Sequence, residues 1–320
     1  MGEPKERSSG EVHEARIKRY GEARTRALHT QQFLEANIPD YPRNDKAKLT
    51  KAALKLRSCG SFLEFRHYYT KDEYRLIDGI HCDNKWLCPL CGLRWASKAL
   101  MKAYEKHKQV LSENPNLIPA FLTLTVQNGR HLAPTFDTLQ QGLRRITYTT
   151  RQAKKRGDQS EFAKIQGMIG STEVQRGKRG KLWHPHFHAI VLLDRYMDQK
   201  KLSEEWERKT GGSYVLWVQE MDDTFKAFMD VFSYVLKIST MSIPDQVEAF
   251  LKLNGKQMLR TTGLYRDIQL PEKLTDEPLD DLPYTELLYR YIFERESYSL
   301  ERRTPCPGSP SPAPSCVSQA

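Results

Sequence analysis

The chain has 320 residues, with 50 Lys and Arg against 40 Asp and Glu, a formal net charge of +10, an isoelectric point near 9.2 and a mean hydropathy of −0.66. That length holds one large domain or two modest ones with ample core. No apolar run reaches the roughly 18 residues of a membrane span, and the first residues (MGEPKERSSGEVHEARIKR) are too charged for a secretory signal. A cytoplasmic protein with no membrane partner is therefore expected, and its positive balance favours nucleic acid as the polyanion it meets.

Residues 1–50 are a charged, partly helical lead-in. Residues 51–113 carry four of the six cysteines, Cys59, Cys82, Cys88 and Cys91, followed by a helix over about 93–112. Cys88-Pro-Leu-Cys91-Gly has the form of a knuckle that offers two thiolates to one ion from a tight turn. Cys82 and Cys59 complete a closed structural zinc site, with His67 or His81 as substitutes for Cys59. The intervening segments 61–65 and 74–77 alternate as a hairpin does. Over 119–128 the alternation predicts a half-buried strand, Leu122, Leu124 and Val126 facing one way and Thr123 and Thr125 the other, where small hydroxyls leave room for DNA. A helix follows over 135–156, ending in basic residues.

Residues 182–193 (LWHPHFHAIVLL) are the most informative stretch. A strand there buries Phe187, Ala189 and Val191 and shows His186 and His188 together on the other face, one pleat apart, where they can share a divalent metal. Pro185 removes a ladder donor, so regular pairing is expected from His186 and His184 is left a supporting place. The strand 167–174 joins it through the basic turn Arg176, Lys178, Arg179, Lys181, which suits phosphate contacts. A hairpin centred near 178–179 sets Glu173 opposite residue 184 and diagonal to His186, making it the candidate third metal ligand. Further on, 213–219 reads as a strand and 223–238 as one helix, on which Asp230, Tyr234 and Lys237 share a face at i, i+4 and i+7. A last strand is expected near 264–270 and a helix over 284–302. A Pro/Ser-rich tail from 303 to 320 is too poor in apolar surface to fold.

One reaction calls for these groups together: breaking a DNA phosphodiester with a side-chain nucleophile. Tyr234 serves as nucleophile, His186, His188 and Glu173 hold the metal, Lys237 stabilises charge, and Asp230 activates water. FLTLTV (121–126), HPHFHAIVLL (184–193) and DVFSYVLK (230–237), in that order behind the cysteine module, resemble the motifs of the rolling-circle plasmid replication initiators of the HUH endonuclease superfamily. The resemblance covers roughly 59–270. It implies an α+β fold with a central antiparallel sheet, a ferredoxin- or RRM-like palm, helices on one face, and a small cysteine-rich zinc module ahead of it. The nicking domain would span 114–272 and a C-terminal helix 273–302. It also implies Mg²⁺ or Mn²⁺ on the histidine pair, Tyr234 as nucleophile, and a plasmid double-strand origin and single-stranded DNA as partners, with a host helicase and a homodimer further expected. Asp230 stands where that family usually has glutamate. A transposase or relaxase of another mobile element would share the chemistry; a non-catalytic zinc-bearing DNA-binding protein is the reading in which the histidines are structural.

Overall fold

A computed structural model of the chain describes residues 8–157, 160–177, 182–213, 215–221, 224–279 and 282–305. The chain divides into two compact units, 1–84 with 273–320, and 85–272.

Most of the described lead-in is helical. Helix α1 (Ser9–Asn37) starts on a capping box, in which the Ser8 hydroxyl accepts from the Glu11 N–H and the Glu11 carboxylate accepts from the Ser8 N–H. Helix α2 (Arg43–Ser58) crosses the expected boundary at 50 and buries Leu49, Ala52, Ala53 and Leu56. The expected cysteine-module hairpin forms as β1 (Phe62–Tyr68) and β2 (Glu73–Gly79).

The second unit begins with α3 (Pro89–Glu113) and continues through β3 (Ile118–Thr125), α4 (Leu132–Arg156), β4 (Ile165–Arg176) and β5 (Trp183–Leu193). It then runs through α5 (Gln199–Thr210), β6 (Leu216–Glu220), α6 (Thr224–Phe232), α7 (Tyr234–Ser239), α8 (Ile243–Leu253) and β7 (Leu259–Gly263). Its five strands form an antiparallel sheet in the order β6-β3-β5-β4-β7.

The two faces of β5 organise this unit. Phe187, Ala189 and Val191 pack with Leu122 and Leu124 of β3 against Leu139 and Leu143 of α4 and Leu202 and Trp206 of α5. Ile190 and Leu192, on the other face, pack with Ile169 of β4 against Ala99 and Ala103 of α3 and Phe228, Val231 and Phe232 of α6. Helices therefore cover both faces, not the one face expected, because β5 turns apolar on both sides beyond Ala189. Only its histidine end keeps a polar face.

Several boundaries depart from expectation. Pairing between β4 and β5 runs back to Trp183, with Pro185 opposite Val174. Pro185 is tolerated because the β3 side of the ladder ends at His186, so its missing donor interrupts no pairing there. The helix expected over 223–238 is broken at Ser233 into α6 and α7; Asp223 lies outside the described residues. Strand β7 lies ahead of the expected 264–270. Gly263 ends it at a φ of +58°, where a side chain would also run into the Gln166 carbonyl, and the chain then turns so that Tyr265 is buried.

The chain then returns to the first unit. The helix expected over 284–302 is instead a hairpin of β8 (Thr285–Ile292) and β9 (Ser297–Pro305). The alternation in Thr-Glu-Leu-Leu-Tyr-Arg-Tyr-Ile and its aromatics favour a strand, and β1 offers it an edge, giving the sheet β2-β1-β8-β9. Residues 303–305, assigned to the tail, belong to β9; the rest of the tail lies outside the described residues.

Close approach at Gly170 holds the centre of the second sheet together. A Cβ there would sit 2.5 Å from the Phe187 ring, 2.6 Å from Ala189 Cβ and 2.8 Å from the His188 carbonyl. Gly170→Ala should therefore cost about 1–3 kcal/mol of stability, read as a lowered urea midpoint; an unchanged midpoint would show that the strands part without penalty.

Candidate active site

Alternation along β5 puts His184, His186 and His188 on one face, their rings 6.4 Å and 6.0 Å apart in succession. Strand β3 places Thr123 opposite His188 and Thr125 opposite His186. On the other side, β4 places Glu173 directly opposite His186, two residues from the expected register. A two-residue shift keeps a side chain on its face, so Glu173 still joins the histidines. Of the basic turn, Lys178, Arg179 and Lys181 lie outside the described residues.

These side chains line an open cavity of about 760 Å³ together with Gln127, Gln175 and Lys237. At its floor the Glu173 side chain is 2% exposed. Its Oε2 lies 2.6 Å from Lys237 Nζ and 3.4 Å from His188 Nε2, and Gln175 donates to its other oxygen. Burial works against the charge on Glu173. The hydrogen bonds and positive partners, His188 and Lys237, outweigh it and hold the carboxyl down at about 2. Burial lowers His186 from the ordinary imidazole range, with Glu173 pulling it back up. Thr123 Oγ1 lies 3.1 Å from His188 Nδ1, which directs Nε2 at the carboxylate.

This donor set fits a divalent cation: one buried, ionised carboxylate beside two imidazoles, one with its second nitrogen already engaged. Glu173 also has partners without a metal ion, in Lys237, His188 and Gln175.

The third motif is split. Lys237 reaches the cavity from α7, whereas Tyr234 is 1% exposed, with its ring edge-on to Trp95 at 6.0 Å, and does not line the cavity. Burial pushes its phenol above the usual range. Asp230 is exposed on α6, also away from the cavity. The break at Ser233 gives the expected shared face three different environments. The break is held in place by the Ser171 hydroxyl of β4, which donates to the Val231 carbonyl, and by Ser233 Oγ, which donates to the Asp230 carbonyl at 2.9 Å. Arg176, expected on DNA, is paired with Asp245 and Glu248 and lies over the Trp183 ring. Sequence reasoning missed Gln175 and Trp217 as cavity residues; for Gln175 the i+2 spacing from Glu173 was the available signal.

The cysteines Cys59, Cys82, Cys88 and Cys91 are all buried, and their sulfur atoms lie within 4.8 Å of one another, a group that could hold a metal ion. Thiolates 2.3 Å from a tetrahedral zinc lie about 3.8 Å apart, so the spacing suits one. The Cys82 N–H donates to Cys59 Sγ at 3.3 Å, while Cys88 precedes α3 and Cys91 sits in its first turn. The two substitute histidines are engaged elsewhere, His67 with Asp72 at 2.9 Å and His81 with the Gly79 carbonyl at 2.9 Å.

An antiparallel sheet with helices on both faces, carrying a histidine–carboxylate cavity, makes this an α+β protein. The family model described as Replication protein matches residues 73–286, and the chain belongs to that family, the rolling-circle plasmid replication initiators. It is 26% identical over 251 residues to "Protein rep" of Streptococcus pneumoniae serotype 2 (strain D39 / NCTC 7466), covering 72% of this chain and 75% of the relative. It is also 26% identical over 170 residues to "Protein rep" of a Bacillus species, covering 49% of this chain and 50% of that one. A third, "Protein rep" of Bacillus amyloliquefaciens, is 26% identical over 170 residues, 49% of this chain and 46% of the relative. No solved structure matches. Among the described residues no helix is long and apolar enough to cross a membrane.

If the four thiols hold a metal, the purified chain should carry one tightly bound ion by elemental analysis, and Cys88→Ser and Cys91→Ser should each lose it. Metal-free protein with wild-type thermal stability would show that the cysteines are only packed.

Proposed function

We propose that this chain nicks its plasmid origin through Tyr234, leaving a 5′-phosphotyrosine and a free 3′-OH, and so starts rolling-circle replication. The observation that carries the reading is the Glu173–His186–His188 face, open to a cavity of about 760 Å³ and reached by Lys237 of the third motif. In the reaction, Tyr234 Oη attacks phosphorus, the P–O3′ bond breaks, and the 3′ oxygen takes up the proton the phenol gives up. His186, His188 and Glu173 would hold a divalent ion, Mg²⁺ or Mn²⁺, which when bound would supply Lewis-acid polarisation of the scissile phosphate. Thr123 orients His188, and Thr125 on the same face lies beside the strand's path. Lys237 already stands at the cavity and can turn from Glu173 to a phosphate oxygen. Asp230, exposed on α6, is available to water for the later hydrolysis.

The buried phenol sets a condition on this reading: Tyr234 must leave Trp95 for its oxygen to meet a phosphate. The discontinuity at Ser233 is where α7 can turn without unwinding α6. Zinc on the four cysteines is the structural ion of the same reading, and the double-strand origin, single-stranded DNA and a host helicase are the partners it implies, with action in the cytoplasm.

Incubation of wild type with supercoiled plasmid carrying its origin and Mg²⁺ or Mn²⁺ should give nicked circles and an SDS-stable adduct with an origin oligonucleotide. Tyr234→Phe should give neither; nicking by this variant would remove Tyr234 from the chemistry. His186→Ala and His188→Ala should each abolish metal-dependent cleavage, a loss of at least about a hundredfold, while origin binding by gel shift persists. Equal loss of binding and cleavage would make the histidines structural. Asp230→Ala should leave the first nick intact and slow release of the adduct.

A further inference from the structure

A second cavity, of about 610 Å³, lies between α4 and α5 and is lined by Arg144, Arg145, Tyr148 and Thr149 of α4 and Arg208 and Lys209 of α5. These helices cover the sheet face opposite the histidines, because they pack on Phe187, Ala189 and Val191. Four cations share the cavity, and among the described residues none of the four is in an ion pair. Two are fixed in place: Arg145 Nη1 donates to the Lys209 carbonyl at 2.7 Å, and Lys209 Nζ donates to Thr149 Oγ1 at 2.9 Å. Glu205, the carboxylate that acts on Lys209, accepts from the Ser160 hydroxyl at 2.8 Å and the Glu161 N–H at 2.7 Å. Burial lowers the Lys209 ammonium from its usual range; Glu205 opposes this, and Arg208 and Arg145 add to it. Gathering four cations around one concavity costs stability and favours a polyanion.

Two further features narrow the polyanion. Tyr148 is 66% exposed, one helical turn beyond Arg144. Arg151 and Lys155 continue that stripe along α4, both exposed. An aromatic ring open to solvent between cations suits a base with a free face, which a strand offers and a duplex, its bases already stacked, does not.

We propose that this cavity and the stripe running on from it hold single-stranded DNA, with phosphates on Arg144, Arg145, Arg208 and Lys209 and a base stacked on Tyr148. A strand would then be held on the sheet face opposite the one that cuts it. The proposal rests on the protein being a replication initiator that meets single strands, and not on the tyrosine chemistry.

The test uses the full chain and fluorescence anisotropy over a KCl series, with a long thymidine oligonucleotide, an abasic oligonucleotide of equal length and a duplex without the origin. Arg145 is left intact because it ties α4 to α5. Arg144→Ala with Arg208→Ala should reduce the slope of log affinity against log salt by about 1.4 on the thymidine strand. Tyr148→Ala should weaken that strand roughly tenfold, with no effect on the abasic one, and Tyr148→Phe should restore wild-type affinity. An unchanged slope, or the same loss on duplex as on strand with no effect of Tyr148→Ala, overturns the proposal. Nicking of a short origin oligonucleotide, measured alongside, should be unaffected by these variants. If wild type does not nick, the nicking reading fails while the strand-binding measurement still decides this one.

Discussion

A carboxylate with 2% of its side chain exposed must have cationic company, and Glu173 decides which groups meet in this protein. Its charge draws Lys237 from α7 and His188 from β5, and so ties a helix to two strands at one point. Losing either partner would leave charge in a poorly solvated place. The pair with Lys237 is partly open to water, since that side chain is 37% exposed, and solvent screens it. Ser171, two residues back along β4, adds a neutral tie to α6. Together they fix where the helical segment bends, and hence which of its side chains look into the cavity and which look away.

The histidine face was legible because a strand's side-chain period of two needs no tertiary information. Phe187, Ala189 and Val191 could only be the buried set, and the histidines followed as the other. Glu173 survived an error in hairpin register for the same reason: the error was even. The third motif was legible as a motif but not as a place. Helical spacing put Asp230, Tyr234 and Lys237 in a row, and the spacing assumes an unbroken helix. Ser233 breaks it, and the bond that anchors the break comes from Ser171, some sixty residues away in sequence. No local pattern announces such a bond.

The C-terminal hairpin was misread on related grounds. Residues 284–302 are rich in Leu, Tyr, Glu and Arg, which suit a helix as well as a strand, and the deciding factor is the open edge of β1. Charge patterning was misleading at Arg176 as well. The sequence shows a basic turn, but Asp245 and Glu248 of α8, which neutralise that arginine, arrive only with the fold. Arg144 and Arg208 are the converse case, lying apart in the chain and gathered by the packing of α4 on α5.

The first unit has a consequence for the order of events during synthesis. Its sheet takes two neighbouring strands, β1 and β2, from near the start of the chain and two, β8 and β9, from beyond residue 284. Tyr298 donates to the Gly60 carbonyl at 2.7 Å, and Thr25 of α1 meets Tyr291 at 2.7 Å. A nascent chain therefore carries β1 with one edge unsatisfied through the whole translation of the unit 85–272, whose own contacts are all available first. The segment made earliest is the last to complete its sheet, and in the interval its unpaired β1 edge is open to wrong partners.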